Sequence, residues 1–152
     1  MFLLDIDSIV GTVVGIDLIR IHPISGAILL GPMDFTKTST QDKIRESLNG
    51  KLVDVFMSDM APNATGMAAL DHDRIIDLVM QALRFALQVS KPGATFLAKI
   101  WAGSETQSVL NDLERFYKVV HFVKPPASRK DSAEVYFLCQ GFKGLKGPSK
   151  KL

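Results

Sequence analysis

Val53-Asp54-Val55-Phe56-Met57-Ser58-Asp59-Met60-Ala61-Pro62-Asn63 is the stretch that decides how this chain folds. Val53, Val55, Phe56 and Met57 make an apolar run that stops at Ser58-Asp59 and leaves through Ala-Pro-Asn. A buried strand that ends on a carboxylate is the site geometry of an open α/β sheet, where ligands bind outside the carboxyl ends of the strands. The alternative is an acid that only caps a turn.

Strand and helix signals alternate on both sides of this stretch. Upstream, Thr12–Asp17 (TVVGID) is a β-branched run ending in an acid, and 27–31 (AILLG) is a second apolar run followed by Pro32-Met33-Asp34. Thr40–Leu48 reads as a helix with Ile44 and Leu48 on one face, closed by Asn49-Gly50. Downstream, 64–69 reads as a loop and Asp71 as the N-cap of a long helix to about Val89. Lys91-Pro92-Gly93 should stop that helix, because proline cannot continue it. Thr95–Trp101 is a strand with Lys99 inside it, 105–116 a helix, and Tyr117–Val123 a strand. A Pro-rich basic loop, 124–132, leads to a last strand, 133–140, and a Gly/Lys-rich tail expected to fray from Gly141. This order predicts an α/β fold with a mostly parallel sheet. The last strand has no helix before it, so it should run antiparallel.

The 152 residues suggest one domain, 1–152, with a basic tail at 141–152. Hydrophobic residues are 47% and charged residues 22%, as in an ordinary globular chain, and no apolar run is long enough to span a membrane. Net charge is +2, too small to name a partner, although Lys143, Lys146, Lys150 and Lys151 load the end of the chain. The single cysteine, Cys139, rules out an intrachain disulfide and fits a reducing compartment. His22, His72 and His121 are far apart and show no metal-ligand spacing, so no metal is expected. Residues 1–10 carry two acids and no Arg or Lys, unlike a secretory signal or a transit peptide.

Asp59, Lys99 and Glu134 are the strand-associated polar residues that can do chemistry. Lysine is seldom buried without a role, and a desolvated lysine has a lowered pKa and can act as a general base. The competing reading is an edge-strand lysine whose ammonium reaches water. Asp17 and Asp34 each follow a short strand. Such acids can meet the ribose and the base of a nucleoside, or can merely cap turns. Trp101 can stack a nucleotide base or pack at the sheet rim.

DVFMSDMAPNATG, LDHDR, PGATFLAKIWAG and KPPASRKDSAEVYFLCQGFKG together resemble the FtsJ family of 2′-O-ribose RNA methyltransferases, nearest its mitochondrial ribosomal-RNA branch. The similarity covers about Val13 to Gly144. It implies a Rossmann-like methyltransferase fold that uses S-adenosyl-L-methionine and a Lys-Asp-Lys-Glu catalytic tetrad. Three tetrad members fall on Asp59, Lys99 and Glu134. Lys99 then takes the proton from, or orients, the ribose 2′-hydroxyl. Asp59 and Glu134 hold the lysine. The family's ribose-binding acid falls on Asp17 and its adenine-side acid on Asp34, with Asp59 also close to the methionine part of the cofactor. Lys124, Arg129 and Lys130 are candidates for phosphate contact with RNA. The implied substrate is ribosomal RNA of the large subunit in the mitochondrion; oligomeric state stays open.

The chain also departs from the family. The usual first strand, its G-x-x-P-G-G/A-W loop and the preceding helix with the first tetrad lysine have no counterpart, and no lysine precedes Lys37. Phe2–Ile6 can pair antiparallel, but is too close to Thr12 for a parallel crossover. The chain therefore reads as a truncated form, an alternative-start isoform or an incomplete gene model, expected to bind the cofactor poorly. Its rivals are a non-catalytic RNA- or ribosome-binding remnant and a generic nucleotide-binding domain.

Overall fold

A computed structural model describes residues 2–5, 11–63, 65–103, 106–126, 128 and 132–145, and of residues 2–5 and 68 the backbone alone. The elements run β1 (Phe2–Asp5), β2 (Thr12–Ile16), β3 (Ala27–Leu30), α1 (Thr38–Leu48), β4 (Val53–Ser58), α2 (Ala68–Val89), β5 (Ser90–Trp101), α3 (Thr106–Phe116), β6 (Tyr117–Val123) and β7 (Glu134–Phe142). One seven-stranded sheet takes the order β3-β2-β1-β4-β5-β7-β6. β2 pairs parallel with β3, and β4 with β5. β7 is antiparallel to both β5 and β6, and β1 is antiparallel to both β2 and β4. Five strands therefore point one way, and β1 and β7 the other. This is the expected α/β class with a mostly parallel sheet and an antiparallel last strand.

β1 occupies the slot between β2 and β4. Phe2 pairs with Gly15 and Met57, so β1 starts near the sheet edge on which β2 and β4 end.

The core explains why the strands sit where they do. Phe56 and Phe96 are paired across β4 and β5, both fully buried, with ring centroids 5.7 Å apart. Phe85 of α2 meets Phe56 at 6.2 Å and Phe35 at 5.6 Å. Tyr117 continues the row from Phe96 at 6.1 Å and reaches Phe142 at 5.6 Å. Burying each ring stabilises the fold by about 1.5–3 kcal/mol. Along α2, Ile75, Val79, Ala82, Leu83 and Ala86 are buried at the spacing of one helical stripe. α1 buries Thr40, Ile44 and Leu48 and ends on Asn49 in the left-handed conformation. No described helix is long and apolar enough to cross a membrane.

Several boundaries differ from the sequence reading by a residue or more, and three of the differences have a visible physical reason. Helix α2 begins at Ala68, so Asp71 is not its N-cap but lies in its first turn. From there its carboxylate reaches back to Thr65 N (2.8 Å), Thr65 Oγ1 (2.6 Å) and Gly66 N (3.2 Å). β5 starts at Ser90, before Lys91-Pro92-Gly93. Proline fits there because the β4–β5 register shifts between Val53 and Val55, and such irregularities tolerate it. Lys91 pairs with Asp54 at this point. β7 continues to Phe142, beyond the expected end at Gln140, because Phe142 is buried against Tyr117. Lys143 Nζ, also assigned to a fraying tail, instead caps α3 through Glu114 O at 2.7 Å. Lys146, Lys150 and Lys151 lie outside the described residues.

Candidate active site

β2, β3, β4 and β5 all end at one edge of the sheet, and β7, running the other way, begins there. This places the residues that follow or close those strands near one another. Asp17 follows β2, Asp34 lies in the turn after β3, and Asp59 follows β4. All three line one cavity of about 520 Å³. Its apolar wall includes Leu18, Met33, Met57, Met60 and Leu97.

Each acid is held differently. Asp17 Oδ1 accepts from Ile19 N at 3.1 Å, while its carbonyl accepts from Met33 N at 2.8 Å and ties the two turns together. Asp34 Oδ1 accepts from Thr36 Oγ1 at 2.7 Å and Thr36 N at 2.9 Å. Those two bonds hold its carboxyl below the usual carboxylate range, with a smaller contribution from Lys37. Both acids therefore shape turns, and both carboxylates also face the cavity.

Lys99 is not on an edge strand, since β5 lies between β4 and β7. Phe96, Ala98 and Ile100 point into the core, and Leu97, Lys99 and Trp101 take the opposite face. Lys99 Nζ lies 2.8 Å from Asp59 Oδ1 and 3.3 Å from Glu134 Oε1. Its side chain is 13% exposed, against 68% for Asp59 and 40% for Glu134, so the cation is the sheltered partner. Burial alone disfavours the ammonium. The hydrogen bond and charge of Asp59, followed by Glu134, outweigh it and raise the Lys99 pKa. The lowered pKa expected from desolvation is thus reversed by the paired carboxylates, and in this arrangement Lys99 is a cation at neutral pH.

The cluster holds one residue that sequence reasoning missed. Tyr136 faces Lys99 directly across the β5–β7 pair, and its hydroxyl donates to Asp59 Oδ1 at 2.8 Å. An aromatic residue in an apolar strand reads as core. The available signal was its spacing of two from Glu134, which puts both on one face. Trp101 pairs with Glu134 in the same register and is partly buried against the core, at the sheet rim. Lys124 Nζ donates to Ser132 O at 2.8 Å, closing the base of the loop before β7. Arg129 and Lys130 lie outside the described residues.

A sheet edge with an acid-lined cavity next to a carboxylate-bound lysine is the arrangement implied by the motifs, and the sequence profile of FtsJ-like methyltransferases matches residues 3–142. The chain belongs to the FtsJ-like methyltransferase family. It is 44% identical over 134 residues to the mitochondrial rRNA methyltransferase 2 of Drosophila melanogaster, covering 88% of this chain and 54% of that protein. It is 45% identical over 135 residues to ribosomal RNA large subunit methyltransferase E of Caulobacter vibrioides, covering 89% and 59%. The chain thus spans little more than half the length of these curated relatives. A crystal structure designated a ribosomal RNA methyltransferase, from Plasmodium falciparum, superposes with a TM-score of 0.77 at 27% identity, covering 87% of this chain and 72% of that one.

For an FtsJ-like protein, the acceptor groups of the cavity fit the implied cofactor. S-adenosylmethionine carries positive charge on its sulfonium and its amino group, and it offers ribose hydroxyl and adenine amino donors. Three carboxylates and an apolar wall of methionine and leucine side chains are complementary to both parts.

Proposed function

We propose that this chain is an S-adenosyl-L-methionine-dependent methyltransferase domain that modifies a ribose 2′-hydroxyl in large-subunit ribosomal RNA. The observation that carries this reading is the sharing of Asp59. Its carboxylate lines the cavity and also binds the Lys99 ammonium, so a cofactor site and a reacting centre meet at one residue. The names of the Drosophila and Caulobacter relatives support ribosomal RNA as substrate, and the Drosophila name supports the mitochondrion as its location.

Asp17 and Asp34 would hold the ribose and adenine portions of the cofactor, with Asp59 beside its methionine portion. When bound, S-adenosylmethionine supplies a methyl group already activated as a sulfonium. The residues of the chain supply positioning and proton control, which a poorly nucleophilic alcohol needs. Lys99 in its cationic state orients the alcohol oxygen and offsets negative charge developing on it. To accept the alcohol proton, it must first lose its own. Asp59 and Glu134 fix the ammonium between two strands, so its direction is set before substrate arrives. Lys124, Arg129 and Lys130 are assigned to RNA phosphates, and residues 1–152 to one domain.

The test is transfer of labelled methyl from S-adenosylmethionine to a large-subunit ribosomal RNA fragment, read as 2′-O-methylated nucleoside, with Lys99→Ala as control. Lys99-dependent product is expected. Salt-sensitive RNA binding without any Lys99-dependent product would instead make the chain a non-catalytic RNA binder.

A further inference from the structure

We propose that Tyr136 is a positioning residue of this site, whose hydroxyl pins Asp59 across the sheet so that one carboxylate oxygen serves both the phenol and the Lys99 ammonium. The inference rests on the methyltransferase reading for its purpose, but on geometry for its existence. Tyr136 lies on β7 and Asp59 at the end of β4, with β5 between them. Their hydrogen bond therefore spans a strand, and Lys99 stands on that strand. Tyr136 OH and Lys99 Nζ each lie 2.8 Å from Asp59 Oδ1. No other partner of Asp59 occurs among the described residues, so Oδ2 stays available to a ligand in the cavity that Asp59 and Tyr136 both line.

Asp59 needs such a restraint. It is 68% exposed and follows the last residue of its strand, so packing does little to fix its rotamer. A lysine alone holds it weakly, because exposed ion pairs are worth little and the lysine arm is flexible. A phenol has a rigid ring and few torsions, and Tyr136 is anchored in a paired strand directly opposite Lys99. The result is a carboxylate fixed from two strands at once. Because the same oxygen touches both groups, a change at Asp59 reaches Lys99 and Tyr136 together.

The electrostatics agree with this layout. Burial, then the hydrogen bond and charge of Asp59, push the Tyr136 phenol above its ordinary pKa, while the Lys99 charge pulls it down. Asp59 and Lys99 thus act on the phenol with opposite signs, and this gives a test independent of catalysis.

The experiment is an alkaline titration of tyrosinate absorbance in the full chain. The sequence has two tyrosines, Tyr117 and Tyr136, and subtracting the Tyr136→Phe titration isolates the second. Asp59→Asn should lower the Tyr136 midpoint. Lys99→Met should raise it. Asp59 is exposed, so the Asn variant keeps the fold, and circular dichroism checks this. An unmoved midpoint in Asp59→Asn, or shifts of the same sign in both variants, overturns the proposal. In the methyl-transfer assay, Tyr136→Phe should slow transfer several-fold. Absence of transfer by the wild-type chain would count against the functional reading and leave the titration result standing.

Discussion

Replacing Lys99 by methionine should separate stability from activity more cleanly than any other single change. Methionine keeps an unbranched stem of similar length, so the packing of a side chain that is 13% exposed is largely retained. The variant loses contacts of 2.8 Å to Asp59 and 3.3 Å to Glu134. In a water-like dielectric each is worth a little over ~1 kcal/mol by Coulomb's law, and measured exposed pairs give roughly 0.2–1 kcal/mol. Both acids are substantially exposed, so the lower range applies. Against this stands the removal of a desolvated ammonium, which favours the variant. The two nearly cancel, and the expected change is within about 1 kcal/mol, or roughly 2–4 °C in melting temperature for a chain of this size. Transfer should fall far more, by about 10²–10⁴-fold, the range for a positioned acid–base group. Urea denaturation followed by circular dichroism gives the first quantity, and single-turnover methyl transfer the second. A variant that retains transfer within tenfold removes Lys99 from the chemistry. One that loses more than about 3 kcal/mol of stability makes it a structural lysine.

Calorimetry with S-adenosylhomocysteine should show Asp17→Ala and Asp34→Ala each weakening binding by roughly tenfold or more, because each removes a charged hydrogen-bond acceptor from the cavity. Unchanged affinity in both would detach the cavity from the cofactor. Asp71 sets an acid limit on stability. Its carboxyl is held below the usual carboxylate range, mainly by the Thr65 hydroxyl and then by the Thr65 backbone N–H. A depressed folded pKa adds stability that is full above the unfolded value and is lost as pH falls through the lower folded one. Asp71→Asn should therefore flatten the fall in stability below about pH 4, measured by urea titration at a series of acid pH values. A β-carbon at Gly103 would overlap the imidazole of His72. Gly103→Ala should cost about 1–3 kcal/mol, and His72→Ala in the same chain should recover most of it.

Asp59, Lys99 and Glu134 were legible because their departures from the strand pattern are local. Asp59 and Lys99 are charges at or near the C-terminal ends of parallel apolar strands, and Glu134 opens the antiparallel last strand, so all three meet at one edge. Asp17 and Asp34 followed from the same logic, and the cavity joins them to Asp59. Tyr136 was not legible, because nothing in an aromatic strand residue says which carboxylate its hydroxyl will meet 77 positions away. The sign of the Lys99 pKa shift was missed for a related reason. Sequence shows that the strand is apolar, which predicts desolvation, but the opposing charges come from two other strands. Helix and strand boundaries failed where tertiary contacts override local propensity. Pro92 and Gly93 mark the stop of α2, which does end at Val89, but they also lie inside β5 at a register shift, so that strand starts earlier than Thr95, and Phe142 extends β7 because Tyr117 covers it. The place of β1 follows from pairing partners that no local pattern encodes.

Trp101 is the sole tryptophan of the chain, and it closes β5 two residues after Lys99, opposite Glu134. The intrinsic fluorescence of this protein, excited at the red edge of the absorption band, thus comes from one indole at the rim of the candidate site. Ligands entering the cavity or RNA stacking at the sheet edge can be followed by emission colour and quenching without any attached dye. Unfolding of the far side of the sheet is, by the same token, the event this probe reports least directly.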